Sequence, residues 1–458
     1  PYEIKRRLKS GDLTVAVIGV GTIGSHTVAQ FARAGARIVA ADSRPEVVQT
    51  INLGKSPTPY ALLDRQFGIC ARAGRIRALN SPEEAARDSE IIVVCVPTSL
   101  GKRFLSPNLE PLESACKEVG KGLTPNSLVM ISSTVFIGAT RKVVAPLLEK
   151  ESALKPGGEF GLAYSPERID PGNTVHTPEN TPRIVGGLDA RSLTTAAAVL
   201  EATTSARIVK VRSLEVAEAS KLVENTYRDL NIAFANEIAV CLKKLKIDTI
   251  EVLKACSTKW SFNAHFPGAG VGGDCIPVSP RYLLHSAESS DLKLVRVARC
   301  VNESMPAYTV SLVIDGLKEA GKKCHQAKIA VFGLAYKGKT ADLRHTPGQR
   351  IVDILSSKGA KIVVHDPRVS GQTVRESLGY QNVNIEEALR GADCLLLATD
   401  HPEFKSLPLE RVKKLMGPRP VLVDGRNLLS PKAVVARGFV YRGIGRLPNS
   451  QETVPLKR

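Results

Sequence analysis

Aromatic side chains are scarce in this 458-residue chain: tryptophan occurs once, and Phe, Trp and Tyr together make up 5%. A surface that stacks nucleobases on aromatic rings has little to draw on. Lys and Arg number 63 against 45 Asp and Glu, a net charge of +18. The cations form no dense block, so they read as solvated surface or as partners for phosphate-bearing small molecules, and no nucleic-acid partner is expected. Long apolar runs are missing too. IIVVCV at Ile91 to Val96 is far short of the ~20 residues of a membrane-spanning helix. The basic stretch Pro1 to Ser10 leads into no apolar segment of the kind a signal peptide needs, so a cytoplasmic location away from membranes is expected. Nine cysteines are scattered without a CxxC pair, and the eight histidines show no HExxH. No metal site or disulfide framework is expected, and free thiols fit a reducing compartment.

What is present is organised. The length exceeds one ordinary core and suggests two to four domains. TVAVIGVGTIGSHTVAQFARAGARIVAAD reads as strand (Thr14 to Ile18), tight turn, helix (Thr22 to Ala34) and second strand. Gly19, Gly21 and Gly24 have GxGxxG spacing: the first makes the turn, the second lets backbone meet a pyrophosphate at the helix start with Thr22 and Ile23, and the third lets helix pack on strand. Asp42 closes the second strand, where a carboxylate takes ribose hydroxyls. Arg44 invites a 2′-phosphate that Asp42 would repel, so the expected cofactor is NAD rather than NADP. Further strands at Ile91 to Val96 and Leu128 to Ser132 end in Pro97, Thr98, Ser133 and Thr134, which would ring the cofactor crevice. Another strand-like run, GEFGLAYSPERIDPGN, carries Glu167 and Arg168 into a Pro/Gly-rich loop.

Leu214 to Lys246 is helical in pattern, without Gly or Pro, and apolar enough to read as largely buried. Lys221 and Asn225, four residues apart, share a face of it beside Val223, Ile232, Ala233 and Phe234. This is a candidate site, against the alternative of a lysine that reaches solvent. A further helical segment runs from Leu292 to Asn302. Strand, loop, helix and strand then repeat from Lys328, closing with strands at Cys394 to Ala398 and Val421 to Asp424. Ala335 replaces the middle glycine of this second turn, so Lys337 and Arg344 would meet phosphate by charge, unless they are plain surface cations. Between the two patterns, GAGVGGDCIPVSP sets Cys275 after closely spaced glycines, including Gly272, outside any apolar run. The remaining cysteines, in runs such as VVCVP and VCLKK, read mostly as inert core thiols.

Together VIGVGTIG, CVPTS, SSTV, YSPERIDPGN, SKLVENTYRDLNIAFANE, PGAGVGGDCIPVSP, GLAYKGKTADLRHTPG, HDP and VDGRN resemble, in order and over nearly the whole chain, the UDP-glucose/GDP-mannose dehydrogenase family. The resemblance is greatest to its UDP-N-acetylglucosamine and UDP-N-acetylmannosamine 6-dehydrogenases. It implies an α/β chain with two Rossmann-like doubly wound domains, 1–210 for NAD and 321–458 for the UDP-sugar, joined by a helical domain, 211–320, that forms a homodimer. It further implies four-electron, NAD-dependent oxidation of a sugar C6 alcohol to the acid, with UDP-N-acetylglucosamine favoured. Cys275 would hold the aldehyde as a thiohemiacetal and then a thioester. Lys221 and Asn225 would serve the reacting oxygen, Glu167 and Thr134 the hydrolytic water, and Glu167, Arg168, Gly272, Lys337 and Arg344 the substrate. Two residues depart from the family. Asp274 stands where His or Ser is usual and disfavours a thiolate unless its charge is met. Ser279 stands where Asp is usual and cannot accept a proton as a carboxylate does. UDP-glucose oxidation and a catalytically impaired nucleotide-sugar-binding protein are the alternatives.

Overall fold

The computed structural model describes residues 2–58, 60–101, 106–169, 175–286 and 291–450. The chain divides into two compact units, Pro1–Glu224 with Arg281–Ser290, and Asn225–Pro280 with Asp291–Arg458. Each is α/β and is built on its own sheet.

In the first unit the strands are β1 (Thr14–Ile18), β2 (Arg37–Ala41), β3 (Ile76–Leu79), β4 (Ile91–Val94), β5 (Leu128–Ile131), β6 (Gly161–Tyr164), β7 (Arg183–Gly187) and β8 (Ile208–Val211). Their order is β8-β7-β6-β5-β4-β1-β2-β3, parallel except for the β6/β7 pair. The 3-2-1-4-5-6 core of this order reverses direction between β1 and β4, and an open α/β sheet binds ligands at the strand ends beside such a reversal. β4 and β5 are buried at every residue, as a sheet covered on both faces requires.

The second unit carries β9 (Lys328–Phe332), β10 (Lys361–His365), β11 (Cys394–Leu397), β12 (Val421–Asp424) and β13 (Val440–Gly443), all parallel in the order β10-β9-β11-β12-β13. Alternation along each strand sends Ile329, Val331, Leu396 and Val423 into one core and Ala330, Phe332, Leu395 and Leu422 into another. Both cores are closed by helices, which makes this a second doubly wound sheet.

Of the helices, α1 is Thr22–Ala34, α2 is Leu214–Lys244, α3 is Ser279–Ser286 and α4 is Lys293–Glu319. The α4 helix runs well past the expected Asn302, straight through Pro306. A proline inside a helix costs about 3 kcal/mol. Here Met305, Val310, Val313 and Leu317 of the same helix are anchored in the core, so packing outweighs the local signal to stop. A second correction concerns α2. Leu222, Ala233, Ala235 and Ala239 are buried, but Val223, Tyr227 and Phe234 are 53%, 50% and 56% exposed. The helix is apolar on two faces, and its own chain covers only one.

Polar residues clamp α2 to α4 within the second unit. Arg299 Nη1 donates to Asp229 Oδ1 at 2.7 Å, Asn302 Nδ2 donates to the same oxygen at 2.8 Å, and Asn236 Nδ2 donates to Asn302 Oδ1 at 2.9 Å. Asn236 Oδ1 then accepts the Gly268 amide at 2.9 Å, tying the segment that leads to Cys275 onto both helices. Asp229 and Arg299 are buried. Burial pushes the Asp229 carboxyl above its ordinary range, against the pull of Arg299.

The acids that end the second strand of each sheet differ in their surroundings. Asp42 follows β2 and accepts a single β1-side amide, from Val20 at 2.8 Å. Asp366 follows β10 and accepts amides from Leu334, Ala335, Arg368 and Val369, with His401 Nε2 at 3.2 Å. Burial would raise its carboxyl, but the His401 contact and these amides hold it down at about 2.

Two measurements follow from these clusters. Asp229→Ala leaves buried Arg299 with only Glu303, at 3.1 Å, as a carboxylate partner and is expected to destabilise the second unit by about 3 kcal/mol, read by denaturant unfolding; a shift under about 1 kcal/mol would refute the clamp. Because Asp366 is depressed in the folded state, its stabilisation is complete above its ordinary value and drains as pH falls toward about 2. Asp366→Asn should therefore flatten the acid limb of the stability profile and leave its neutral limb parallel.

Candidate functional site

At the carboxyl end of β1, Gly19 adopts φ +85° and lies so close to Val96 that a Cβ would come within 3.0 Å of its backbone. A Cβ on Gly24 would sit 2.0 Å from the Gly19 carbonyl oxygen, which fixes glycine there by contact alone. Gly21 differs: no atom lies within 4 Å of where its Cβ would be. It caps α1 without a side-chain hydrogen bond, so the first-turn amides, including those of Thr22 and Ile23, end at an open face. That combination fits a dinucleotide pyrophosphate, received by backbone amides at the positive end of a helix.

Beside this turn the buried Asp42 carboxylate also accepts Arg44 N at 3.1 Å and Arg44 Nε at 2.9 Å. Burial works to raise the Asp42 carboxyl, but Arg44 and the Val20 amide hold it below its ordinary range. Arg44 is thus engaged by Asp42, which suits ribose hydroxyls at this point better than an added phosphate. Thr98 Oγ1 donates to the Thr134 carbonyl at 2.6 Å and Ser133 Oγ to the Val96 carbonyl at 2.7 Å. These bonds stitch together the segments that follow β4 and β5, with Pro97 left exposed.

The segment after β6 brings Glu167 to Lys221 in an unexpected way. Lys221 Nζ donates at 2.6 Å to the Glu167 backbone carbonyl. The Glu167 side chain is buried and turned elsewhere: Oε1 accepts the amides of Arg168 at 2.8 Å and Ile169 at 3.1 Å, and Oε2 lies 3.1 Å from Arg183. Arg168 pairs with Glu224 at 2.7 Å. Arg183, at the start of β7, is a site neighbour that the sequence reading missed, because a lone arginine in TPRIVGG carries no motif. The DPGN portion of the SPERIDPGN run lies outside the described residues from Asp170 onward.

In the second unit, Asn225 Nδ2 donates to Ser279 Oγ at 2.8 Å, and Ser279 N donates to the Cys275 carbonyl at 3.1 Å. Ser279 is therefore an acceptor for the amide on α2 and anchors the turn that carries the cysteine. The glycines before Cys275 dock this turn onto the loop after β9. Gly273 has φ +81°, its amide donates to the Arg344 carbonyl at 2.9 Å, and a Cβ on it would lie 2.8 Å from the Tyr336 ring. A Cβ on Gly272 would lie 2.7 Å from the His345 carbonyl oxygen.

Asp274, the neighbour that threatens a thiolate, has its charge met. Its Oδ2 is bonded to Arg344 Nη1, and its Oδ1 lies 3.3 Å from His345 Nε2. Asp342 holds the other edge of Arg344 at 2.5 Å. Lys337 is half-buried in the same loop, whose Gly338 amide donates to Asp400 Oδ1 at 2.9 Å; Arg426 reaches the same oxygen at 3.3 Å. Arg426 belongs to the VDGRN motif, so that motif held the signal for a third cation.

Cys275 is exposed, whereas Cys70, Cys95, Cys116 and Cys394 are buried. Burial pushes the Cys95 and Cys116 thiols up to about 12. Contrary to the core-thiol expectation for VCLKK, Cys241 is exposed, as is Cys300. Both lie on helices, where turning with period 3.6 exposes positions that an apolar run does not reveal.

Comparison with known proteins agrees with this geometry. Residues 13–204 match the NAD binding domain of the UDP-glucose/GDP-mannose dehydrogenase family, residues 215–304 its central domain and residues 330–431 its UDP binding domain. The chain is 36% identical to the UDP-N-acetyl-D-mannosamine dehydrogenase of Pyrococcus horikoshii, over 95% of this chain and 99% of that one. It is 33% identical to the UDP-N-acetyl-D-glucosamine 6-dehydrogenase of Pseudomonas aeruginosa, over 91% and 97%. The solved structure of the P. horikoshii UDP-D-ManNAc dehydrogenase superposes with a TM-score of 0.87 at 35% identity, covering 95% of this chain and 99% of that one. By sequence, fold and cofactor cradle, the chain belongs to the UDP-glucose/GDP-mannose dehydrogenase family of NAD-dependent oxidoreductases.

Proposed function

We propose that the protein oxidises the C6 alcohol of a UDP-N-acetylhexosamine to the uronic acid, with UDP-N-acetylmannosamine and UDP-N-acetylglucosamine as the candidate substrates. The observation that carries this reading is the exposed Cys275 on a glycine turn docked against the cationic loop of Lys337 and Arg344. The P. horikoshii relative, with the higher identity of the two reported above, tilts the choice toward the mannosamine epimer, whereas the ERIDPGN wording favours the glucosamine epimer. UDP-glucose is the competing substrate.

Bound NAD, held by Gly19 to Gly24 and Asp42, supplies the hydride acceptor in both oxidations. The remaining tasks fall to side chains of this chain. Lys221 stabilises negative charge on the C6 oxygen, and Asn225 donates a hydrogen bond to the same centre. The aldehyde left by the first oxidation is electrophilic, and the Cys275 thiolate adds to it: a sulfur–carbon bond forms and the former carbonyl oxygen takes a proton. Once the second oxidation has made the thioester, water attacks its carbonyl carbon, the sulfur–carbon bond breaks, and the thiol and free carboxylate separate. Covalent capture keeps the aldehyde from escaping between the two steps.

For Glu167 the geometry favours a positioning role through its carbonyl, which holds the Lys221 ammonium. Activation of water by its carboxylate, with help from Thr134, requires that carboxylate to leave Arg183. Ser279 keeps Asn225 oriented, as an Asp there would, but it accepts no proton. Lys337 and Arg344 bind the UDP moiety by charge, and Arg168, paired with Glu224 in the first unit, is a further substrate-binding residue of this reading. The exposed Val223, Tyr227 and Phe234 on α2 are the surface we assign to a homodimer contact. The three parts 1–210, 211–320 and 321–458 are the proposed functional division.

NADH yield per sugar tests the reaction. Two NADH per sugar with one UDP-N-acetylhexosamine and none with UDP-glucose is the expected result; turnover only with UDP-glucose would overturn the substrate class. Cys275→Ala should abolish acid formation, and Cys275→Ser should stall at an ester adduct visible by intact mass. Ser279→Asp should raise kcat by at least about tenfold and shift the pH profile if carboxylate proton handling is what the chain lacks; an unchanged kcat would show that the serine suffices.

A further inference from the structure

Away from Cys275, the second unit contains a cavity of about 660 Å³ among the C-terminal end of α2, the second half of α4 and β13. Lys243, Lys244, Lys318 and Arg442 line it, together with Asp315 and Glu319. Four cations against two carboxylates leave two positive charges, the complement of one dianion. One acid and one cation are already paired, since Arg442 Nη2 bonds Glu319 at 2.5 Å and its Nη1 donates to the Tyr441 carbonyl at 2.9 Å, which leaves three lysines against Asp315.

The placement of Lys243 is hard to explain as structural pairing. Its ammonium donates to the Gly443 carbonyl at 3.1 Å, whereas a lysine retained for stability would be expected to sit on a carboxylate. Burial first, and the nearby Arg442 guanidinium second, lower it to about 8; Asp315 acts in the opposite direction. The groups facing it are Lys244 on its own helix, Tyr308, Asp315, Lys318 and Glu319 from α4, and Arg442 from β13. Their sum leaves an ammonium short of negative charge at the wall of an open cavity.

We propose that this cavity is a second anion site, distinct from the NAD and UDP sites, which takes the phosphoryl group of a small phosphate-bearing molecule. Lys243 contacts the oxyanion, Lys318, Lys244 and the already paired Arg442 add attraction, and Tyr308 and Leu312 wall the remainder of the ligand. The inference is independent of the substrate reading, because none of these residues takes part in it. A dianion beside Lys243 favours its charged form, so binding draws in a proton.

Sulfate, which does not itself titrate near neutral pH, is the probe for the phosphoryl group. The full chain, saturated with NAD and UDP to fill the other anion sites, is titrated calorimetrically with sulfate at pH 8 in two buffers of different ionisation enthalpy. The expected result is one site that takes up as much as about half a proton per sulfate, as follows from a group half-ionised at that pH. Lys243→Gln should weaken binding about tenfold or more and abolish the proton uptake. Lys318→Gln, at an exposed position that the fold tolerates, should weaken binding and leave the uptake intact. Absence of binding under these conditions, binding without proton exchange, or binding indifferent to Lys243→Gln in a folded variant would each overturn the proposal.

Discussion

A single carboxylate oxygen, Asp229 Oδ1, organises the second unit. Arg299 and Asn302 of α4 both donate to it, Asn302 passes the constraint to Asn236, and Asn236 fixes the backbone at Gly268, just before the glycine turn. The position of Cys275 is therefore set from below by a buried polar network and from the side by the Tyr336 loop. Such a network stabilises to the extent that its members are paired, and here Asp229 Oδ2 and Arg299 Nε stay buried without a hydrogen-bond partner, so part of its gain is offset. The placement of the exposed Cys275 thus depends on residues that never reach solvent.

Much of this was legible in the sequence. Continuous β-branched apolar runs located the strands, and the GxGxxG turn with Asp42 pointed to a cofactor cradle, because those features obey local steric rules that act wherever they occur. Asp229 and Asn236 could be read as positions on one helix, but not as a network, since their partners Arg299 and Asn302 lie some seventy residues away. The continuation of α4 through Pro306 was hidden for a related reason: the local preference favours a stop, and only tertiary packing reverses it.

At the site, what the sequence left open was side-chain direction. Glu167 was recognised as a residue, but its carbonyl and its carboxylate serve different partners, and Arg183 has no sequence signature at all. Asp274 looked like an electrostatic liability when read beside Cys275 alone. The structure supplies a counter-charge from Arg344, seventy positions along the chain, with His345 Nε2 beside the other carboxylate oxygen. A charge judged from its neighbours in sequence is judged without the charges that matter most in space.

The closed surroundings of Asp366 bear on how one chain sorts two nucleotides. Both units present a strand, a turn and an acid in the same relative order, so either could in principle compete for the same cofactor. In the second unit four backbone amides and an imidazole fix that acid, whereas two of the four donors on Asp42 come from the exposed Arg44 side chain, which a ribose can displace. The lobe is withdrawn from the dinucleotide pool without losing its architecture. The acid that could have drawn a second dinucleotide is spent instead on holding its own turn, so the repeated architecture does not repeat the first unit's open acceptor.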